Sequence, residues 1–158
     1  MVGRILRSAD FQRVLAMPPR SRSTHFAAHH VSACPSVPAK PQRQVISTEL
    51  STGDAPSCPP AVDELPAAAP ELAPQGQWLG LVVPKKHARR AVTRNLIKRQ
   101  MRAVMASAGA ALPAGLWVLR LKAPFDRQVF TSPGSVPLLQ AARDELHLLL
   151  QRAAAPRR

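Results

Sequence analysis

Eighteen consecutive residues, Lys85 to Arg102 (KKHARRAVTRNLIKRQMR), hold eight Lys or Arg, one His and no acid. Their periodicity predicts a helix from about Arg89 to Ser107, with Ile97, Met101, Val104, Met105 and Ala108 on one face. Arg94, Lys98 and Arg102, spaced by four, form a row along the edge of that face, with Asn95 and Arg99 beyond it. Such a helix can bury only one stripe. The fold must therefore supply a core on one side and leave the cations open on the other. Like charges at helical spacing cost roughly 0.2–0.5 kcal/mol per pair, a cost that an anionic partner offsets.

The rest of the chain sharpens this reading. Among 158 residues, 22 Lys or Arg stand against 9 Asp or Glu, a net charge of +13. Clustered positive charge on a small chain points to a polyanion, nucleic acid first and an anionic membrane surface second. Between Ser32 and Gln77 the composition changes: nine of the 17 prolines fall there, aromatics are absent, and the net charge is −3. Such a stretch buries too little apolar surface to offset its ordering entropy. Residues 32–77 are therefore expected to be a disordered Pro/Ala-rich insertion. The other 112 residues carry 20 basic and four acidic side chains, so the part expected to fold is more basic than the whole.

Before the insertion, Ser8 is placed to cap a short helix bearing Phe11, Val14 and Leu15 on one face, ended by Pro18 and Pro19. Ser23–Val31 reads as a strand. After the insertion, WLGLVV (Trp78–Val83) reads as a buried strand stopped by Pro84. The basic helix follows, with Gly109 as its stop. GLWVLRL (Gly115–Leu121) is the next strand, and Ser135 and Pro137 open a last helix whose apolar face includes Leu138, Ala142, Leu146 and Leu149. The expectation is one α/β (α+β) domain over 1–31 and 78–152, with a small mixed sheet, three helices and a basic tail at 153–158. The N-terminus lacks an apolar signal core, the uncharged run Ala103–Leu119 is broken by Gly109, Pro113 and Gly115, and two cysteines make no disulfide framework. A cytoplasmic protein is expected.

Catalytic machinery is sparse. Outside the insertion the acids are Asp10, Asp126, Asp144 and Glu145, read as surface charges. They do not form the carboxylate set with which a nuclease holds Mg²⁺. No Gly-rich phosphate loop is present. His25, His29 and His30 lie near Cys34, but strand alternation puts His29 and His30 on opposite faces, against a metal site. The Cys-Pro pairs at Cys34 and Cys58 are weak grounds for haem. No catalytic residue and no protein-held metal is expected. Phosphate contacts are plentiful: Lys85, Lys86, Arg89, Arg90, Arg94, Lys98, Arg99 and Arg102 as cations and Asn95 as a polar contact. Few aromatics are available for stacking, so recognition of RNA shape and backbone suits the composition.

At this point a family enters. WLGLVVPKK followed by AVTRNLIKRQMR resembles the signature of the bacterial ribonuclease P protein component, in which a GLxVxKK strand leads into an Arg-Asn-Arg helix. LRSADFQRVL, FAAHHV and AGLWVLRLK resemble that family's first helix, next strand and later strand. The resemblance covers about 1–31 and 78–150. It implies a fold like the second domain of ribosomal protein S5, with a left-handed βαβ crossover. It implies a non-catalytic subunit that binds ribonuclease P RNA and precursor tRNA, supporting 5′-end maturation by endonucleolytic cleavage. Mg²⁺ would be used by the RNA subunit. Lys85, Lys86, Arg94, Asn95, Lys98, Arg99 and Arg102 match the basic motif. Phe11, Leu15 and His29 fall where the family forms a cleft for the 5′ leader. Leu96 stands in place of the motif's second Arg, a contact that Arg89 and Arg90 are placed to replace. The alternatives are a ribosome-associated or general RNA-binding protein of the same fold, a DNA-binding module and a free-standing nuclease. Neither DNA nor a membrane is the expected partner.

Overall fold

The computed structural model describes residues 1–36 and 73–155. The elements are β1 (Val2–Arg4), α1 (Ser8–Ala16), β2 (Ser21–Arg22), β3 (Phe26–Val31), β4 (Gln77–Val82), α2 (Ala91–Ala108), β5 (Gly115–Leu121) and α3 (Val136–Ala154). A 3₁₀ turn, Gly109–Ala111, follows α2. The strands form one mixed sheet in the order β1-β4-β5-β3-β2. β1, β4 and β5 are parallel, and β3 and β2 continue antiparallel. This is the mixed α/β class with three helices that the sequence indicates. β4 and β5 are neighbours joined through α2, so the basic helix is the crossover of a βαβ unit.

Strand alternation divides the core in two. Phe26, Ala28, Leu79, Trp117, Leu119 and Leu121 point to the side where α2 and α3 pack. There Ile97, Met101, Val104 and Met105 of α2 meet Ala142, Leu146, Leu149 and Leu150 of α3. Ile97 and Met101 are fully buried, and each such side chain contributes about 1.5–3 kcal/mol. On the other face Leu116 and Val118 pack with Ile5, Val14 and Ala33, while Phe11, Leu15 and Trp78 lie half-buried around them. α1 is the cover of this second, smaller core.

Polar side chains fasten the ends. Gln77 Nε2 donates to the Gly109 and Leu112 carbonyls at 2.6 and 2.7 Å, tying the start of β4 to the end of α2. Ser135 accepts from the Leu138 N–H as N-cap of α3. Gly115 has φ +130, and a Cβ there would lie 2.4 Å from the Val31 carbonyl, so only glycine can begin β5.

Several expectations are corrected. β1 is a strand the sequence did not announce, because three residues carry no periodic pattern. The strand predicted at Ser23 begins at Phe26, since His25 is held by α3, and Ser21–Arg22 forms its own short strand. Ser8 does not cap α1; Arg7 is the N-cap residue, without a side-chain cap bond. β4 starts at Gln77, inside the predicted insertion, and α3 runs to Ala154, two residues into the predicted tail. The disorder expected over 32–77 does not extend to its first residues, where Ala33 is buried in the second core; residues 37–72, with Cys58, lie outside the described residues, as do 156–158 of the tail. Two acids are not surface charges. Asp10 is 3% exposed and accepts the Ser36 N–H. Glu145 accepts from the His25 N–H at 2.6 Å, from Ser23 Oγ at 2.6 Å and from His25 Nδ1 at 2.7 Å.

Burial alone pushes the Glu145 carboxyl up, but the His25 amide, the Ser23 hydroxyl and the His25 ring together hold it below the usual carboxylate range. A carboxyl depressed on folding adds stability above its unfolded pKa and loses it as pH falls through the folded one. Glu145→Gln should therefore lower the urea midpoint at pH 7, and the gap to the parent chain should narrow in titrations carried below about pH 4.

Candidate nucleic-acid interface

The βαβ unit decides where each cation points. With 3.6 residues per turn, Arg94 lies near the buried stripe, Lys98 and Arg102 rotate progressively away from it, and Asn95 and Arg99 take the outer crest. Exposure follows this order: Arg94 and Lys98 are half-buried, while Asn95, Arg99 and Arg102 are exposed. The helix begins without an acid in its first turn and without a side-chain cap. Its unsatisfied N–H groups and positive dipole end therefore add to the local positive potential.

Arg94 is a strut as well as a charge. Its guanidinium donates to the Ala88 carbonyl at 3.0 Å and the Arg89 carbonyl at 2.7 Å. These bonds fold the turn carrying Lys85, Lys86, Arg89 and Arg90 back onto the helix. The turn is also closed by the His87 and Ala88 N–H groups donating to the Pro84 carbonyl. Lys85 and Lys86 are exposed at its tip. The His87 imidazole is pushed below its ordinary pKa by desolvation, then by the charges of Lys86 and Arg120.

The predicted residues do not form a single site. Lys98 and Arg102 line a cleft of about 470 Å³ at the β1 edge, together with Phe11, Arg4 and the backbone around Gly80. Phe11 lies close enough to β4 that a Cβ at Gly80 would stand 2.5 Å from its ring. The cleft pairs an aromatic ring and apolar walls with three cations. Asn95 and Arg99 instead border a shallow groove toward α3, of about 350 Å³, which Leu96 also lines. Arg89 and Arg90 line a third pocket at the start of α2.

The three residues expected for a leader cleft separate. Only Phe11 faces the β1-edge cleft. Leu15 is half-buried in the core under α1. His29 is 7% exposed, and its Nδ1–H donates to the Met17 carbonyl at the end of α1 at 3.0 Å. That bond takes the ring for structure and leaves little of it to meet a ligand. The neighbouring histidines are likewise engaged: His25 with Glu145, and His30 through Nε2–H to the Ala114 carbonyl at 3.0 Å.

Further cations of the surface went unnoticed in the sequence, among them Arg4, Arg120, Arg22 and Arg127. Arg4 enters the β1-edge cleft. Arg120 and Arg22 lie in one register row across the sheet with Val82 and Ala27, on the α1 side, and both are exposed. The signal for Arg120 was there: it is the lone charge in an otherwise apolar strand, so it must point where α1 does not cover. Arg4 carried none, because β1 itself was not legible.

The family model described as Ribonuclease P matches residues 61–132. The ribonuclease P protein component of Burkholderia pseudomallei is 45% identical over 76 residues, which cover 48% of this chain and 56% of that relative. The component of Ralstonia pickettii is 40% identical over 78 residues, covering 49% and 54%. The chain thus spans little more than half the length of the curated relatives it matches. Two structures of the ribonuclease P protein from Staphylococcus aureus share the fold. One has a TM-score of 0.53 at 17% identity, covering 97% of this chain and 90% of the other. The second has 0.51 at 16%, covering 96% and 94%.

The strut role of Arg94 has a measurable consequence. Arg94→Ala should destabilise the chain by about 1 kcal/mol, since two charge-assisted bonds to carbonyls are lost at a partly exposed site. Arg99→Ala, on the crest, should stay within about 0.5 kcal/mol. Urea unfolding of the two variants compares them directly. Sequence match and fold agree with the resemblance carried by the basic helix: over residues 61–132 this chain matches the ribonuclease P family, and its fold is that of ribonuclease P proteins.

Proposed function

We propose that this chain is the protein subunit of ribonuclease P, binding the catalytic RNA and the 5′ leader of precursor tRNA. The observation that carries the reading is the placement of α2. It is locked into the core as the β4–β5 crossover while Lys98, Arg99, Arg102, Arg89 and Arg90 stay available to phosphates. The relatives named ribonuclease P protein component support it.

The residues present suit grip rather than bond cleavage. Asp10 and Glu145 are each taken by N–H or O–H donors, and Asp126 accepts from the Gln128 N–H at 2.8 Å. Asp144 accepts from the Gln140 side chain. Among the described residues no group of three or more His, Cys, Asp or Glu could hold a metal ion. In this reading the chemistry belongs to the RNA partner, which would use the Mg²⁺. The protein would contribute in three ways. Its cations release condensed counterions on contact with phosphate, which favours binding most at low salt. Neutralised phosphates let substrate and catalytic RNA approach with less Mg²⁺. The β1-edge cleft offers Phe11 to one leader base, with Arg4, Lys98 and Arg102 beside it for the backbone.

In a low-Mg²⁺ assay, a bacterial ribonuclease P RNA should cleave the 5′ leader of a precursor tRNA only with this protein added. Tight RNA binding without stimulation would favour the ribosome-associated alternative. Arg102→Ala and Lys98→Ala should each flatten the salt dependence of RNA binding by about one unit of slope. Slopes equal to the parent's would remove α2 from the contact.

A further inference from the structure

Besides the β1-edge cleft, a second pocket combines cations with aromatic rings. It lies between the His87–Arg90 turn and the loop Phe125–Pro133, and it has a volume of about 280 Å³. That lies just below the range of small-ligand sites, about 300 to 1,000 Å³, so at most a single nucleotide unit fits. Arg89, Arg90 and Arg127 line it, all three exposed. None of the lining residues is Asp or Glu. The nearby acids are occupied: Asp126 by the Gln128 N–H, and Glu145 by His25 and Ser23.

The aromatic wall is held in place. Phe125 is stacked on His25 at 4.1 Å and 13°, and Phe130 meets Phe125 edge-on at 5.7 Å and 85°. That edge-on contact is the only ring contact of Phe130 among the described residues, and its ring is half-buried. The loop is anchored to α2 by the Thr93 hydroxyl donating to the Pro133 carbonyl at 2.9 Å, and its turn is closed by the Phe130 N–H to the Asp126 carbonyl at 2.9 Å. A preplaced ring beside three guanidinium groups matches a base joined to a phosphate better than a bare anion, which has no use for the ring, or an apolar ligand, which has none for the charge.

We propose that this pocket takes one nucleotide of single-stranded RNA, its base on Phe130 and its phosphate on Arg89, Arg90 and Arg127. The inference rests on the RNA-binding reading above and adds a second point of attachment, at the opposite end of α2 from Arg102.

The test uses the full chain carrying Phe130→Trp, titrated with a dye-labelled single-stranded RNA decamer and, separately, with inorganic pyrophosphate. The unsubstituted chain, with its native Trp78 and Trp117, gives the background. Anisotropy of the dye reports binding anywhere, and tryptophan emission reports stacking at the pocket. The expected result is emission quenched in step with anisotropy by RNA, and not by pyrophosphate. In the unsubstituted chain, Phe130→Leu should weaken RNA binding at least about fivefold with an unchanged salt slope, whereas Arg127→Gln should flatten that slope by about one unit. Rising anisotropy with unchanged emission, and full affinity in Phe130→Leu, would overturn the pocket while leaving the RNA-binding reading intact. Equal quenching by pyrophosphate would reduce the site to an anion site and overturn the base contact. No anisotropy change at all would overturn both readings.

Discussion

The structure depends on burying one stripe of α2 between the sheet and α3. Ile97, Met101, Val104 and Met105 fill that space against Trp117, Leu119, Leu146 and Leu149. Without this packing, the cations along the rest of the helix would repel with nothing to hold them in register. With it, the cations are carried on a rigid element whose apolar side cannot rotate outward. Arg94 extends the same logic to the turn before the helix, tying that turn down through the Ala88 and Arg89 carbonyls.

This arrangement separates positive charge from core more strictly than the composition suggests. On the α2 side the sheet presents an apolar centre to the helices, and its polar residues there, Ser21 and Gln77, donate to helix-end and backbone carbonyls. On the other side α1 covers the lower two register rows, and the row holding Arg120 and Arg22 emerges beyond it. Cations from α2, the preceding turn, β1 and β5 thus stand exposed or line pockets at several separate points. A long, folded polyanion suits such a surface better than a compact ligand does, because each contact adds counterion release without needing a shared site.

What could be read from the sequence followed local chemistry. The bounds of β5 were legible because its apolar run is unbroken from Leu116 up to Arg120, directly after Gly115. The start of α3 was legible in Ser135. The buried stripe of α2 was legible in its spacing. What stayed hidden depended on distant partners. β1 exists because β4 offers it a parallel edge, with Gly3 allowing the Trp78 ring to lie over it. His29 looked like a ligand-facing ring but is taken by a carbonyl twelve residues earlier in the chain. Glu145 looked like surface charge until α3 brought it to the His25 amide. The division of the basic residues among three pockets follows from which neighbour each helix face meets, and that needs the fold.

Hydrogen exchange of the full chain, with and without a bacterial ribonuclease P RNA, tests the central claim most directly. The first turn of α2 has amides without intrahelical partners, and the turn before it is closed only by the His87 and Ala88 N–H groups on the Pro84 carbonyl, so this stretch exchanges readily unless covered. Slowed exchange there, with the exposed outer side of α3 around Arg143 and Leu148 unchanged, is the predicted result. Unchanged exchange over residues 85–93, with protection confined to other parts of the bound chain, would contradict the assignment of α2 as the RNA-facing element.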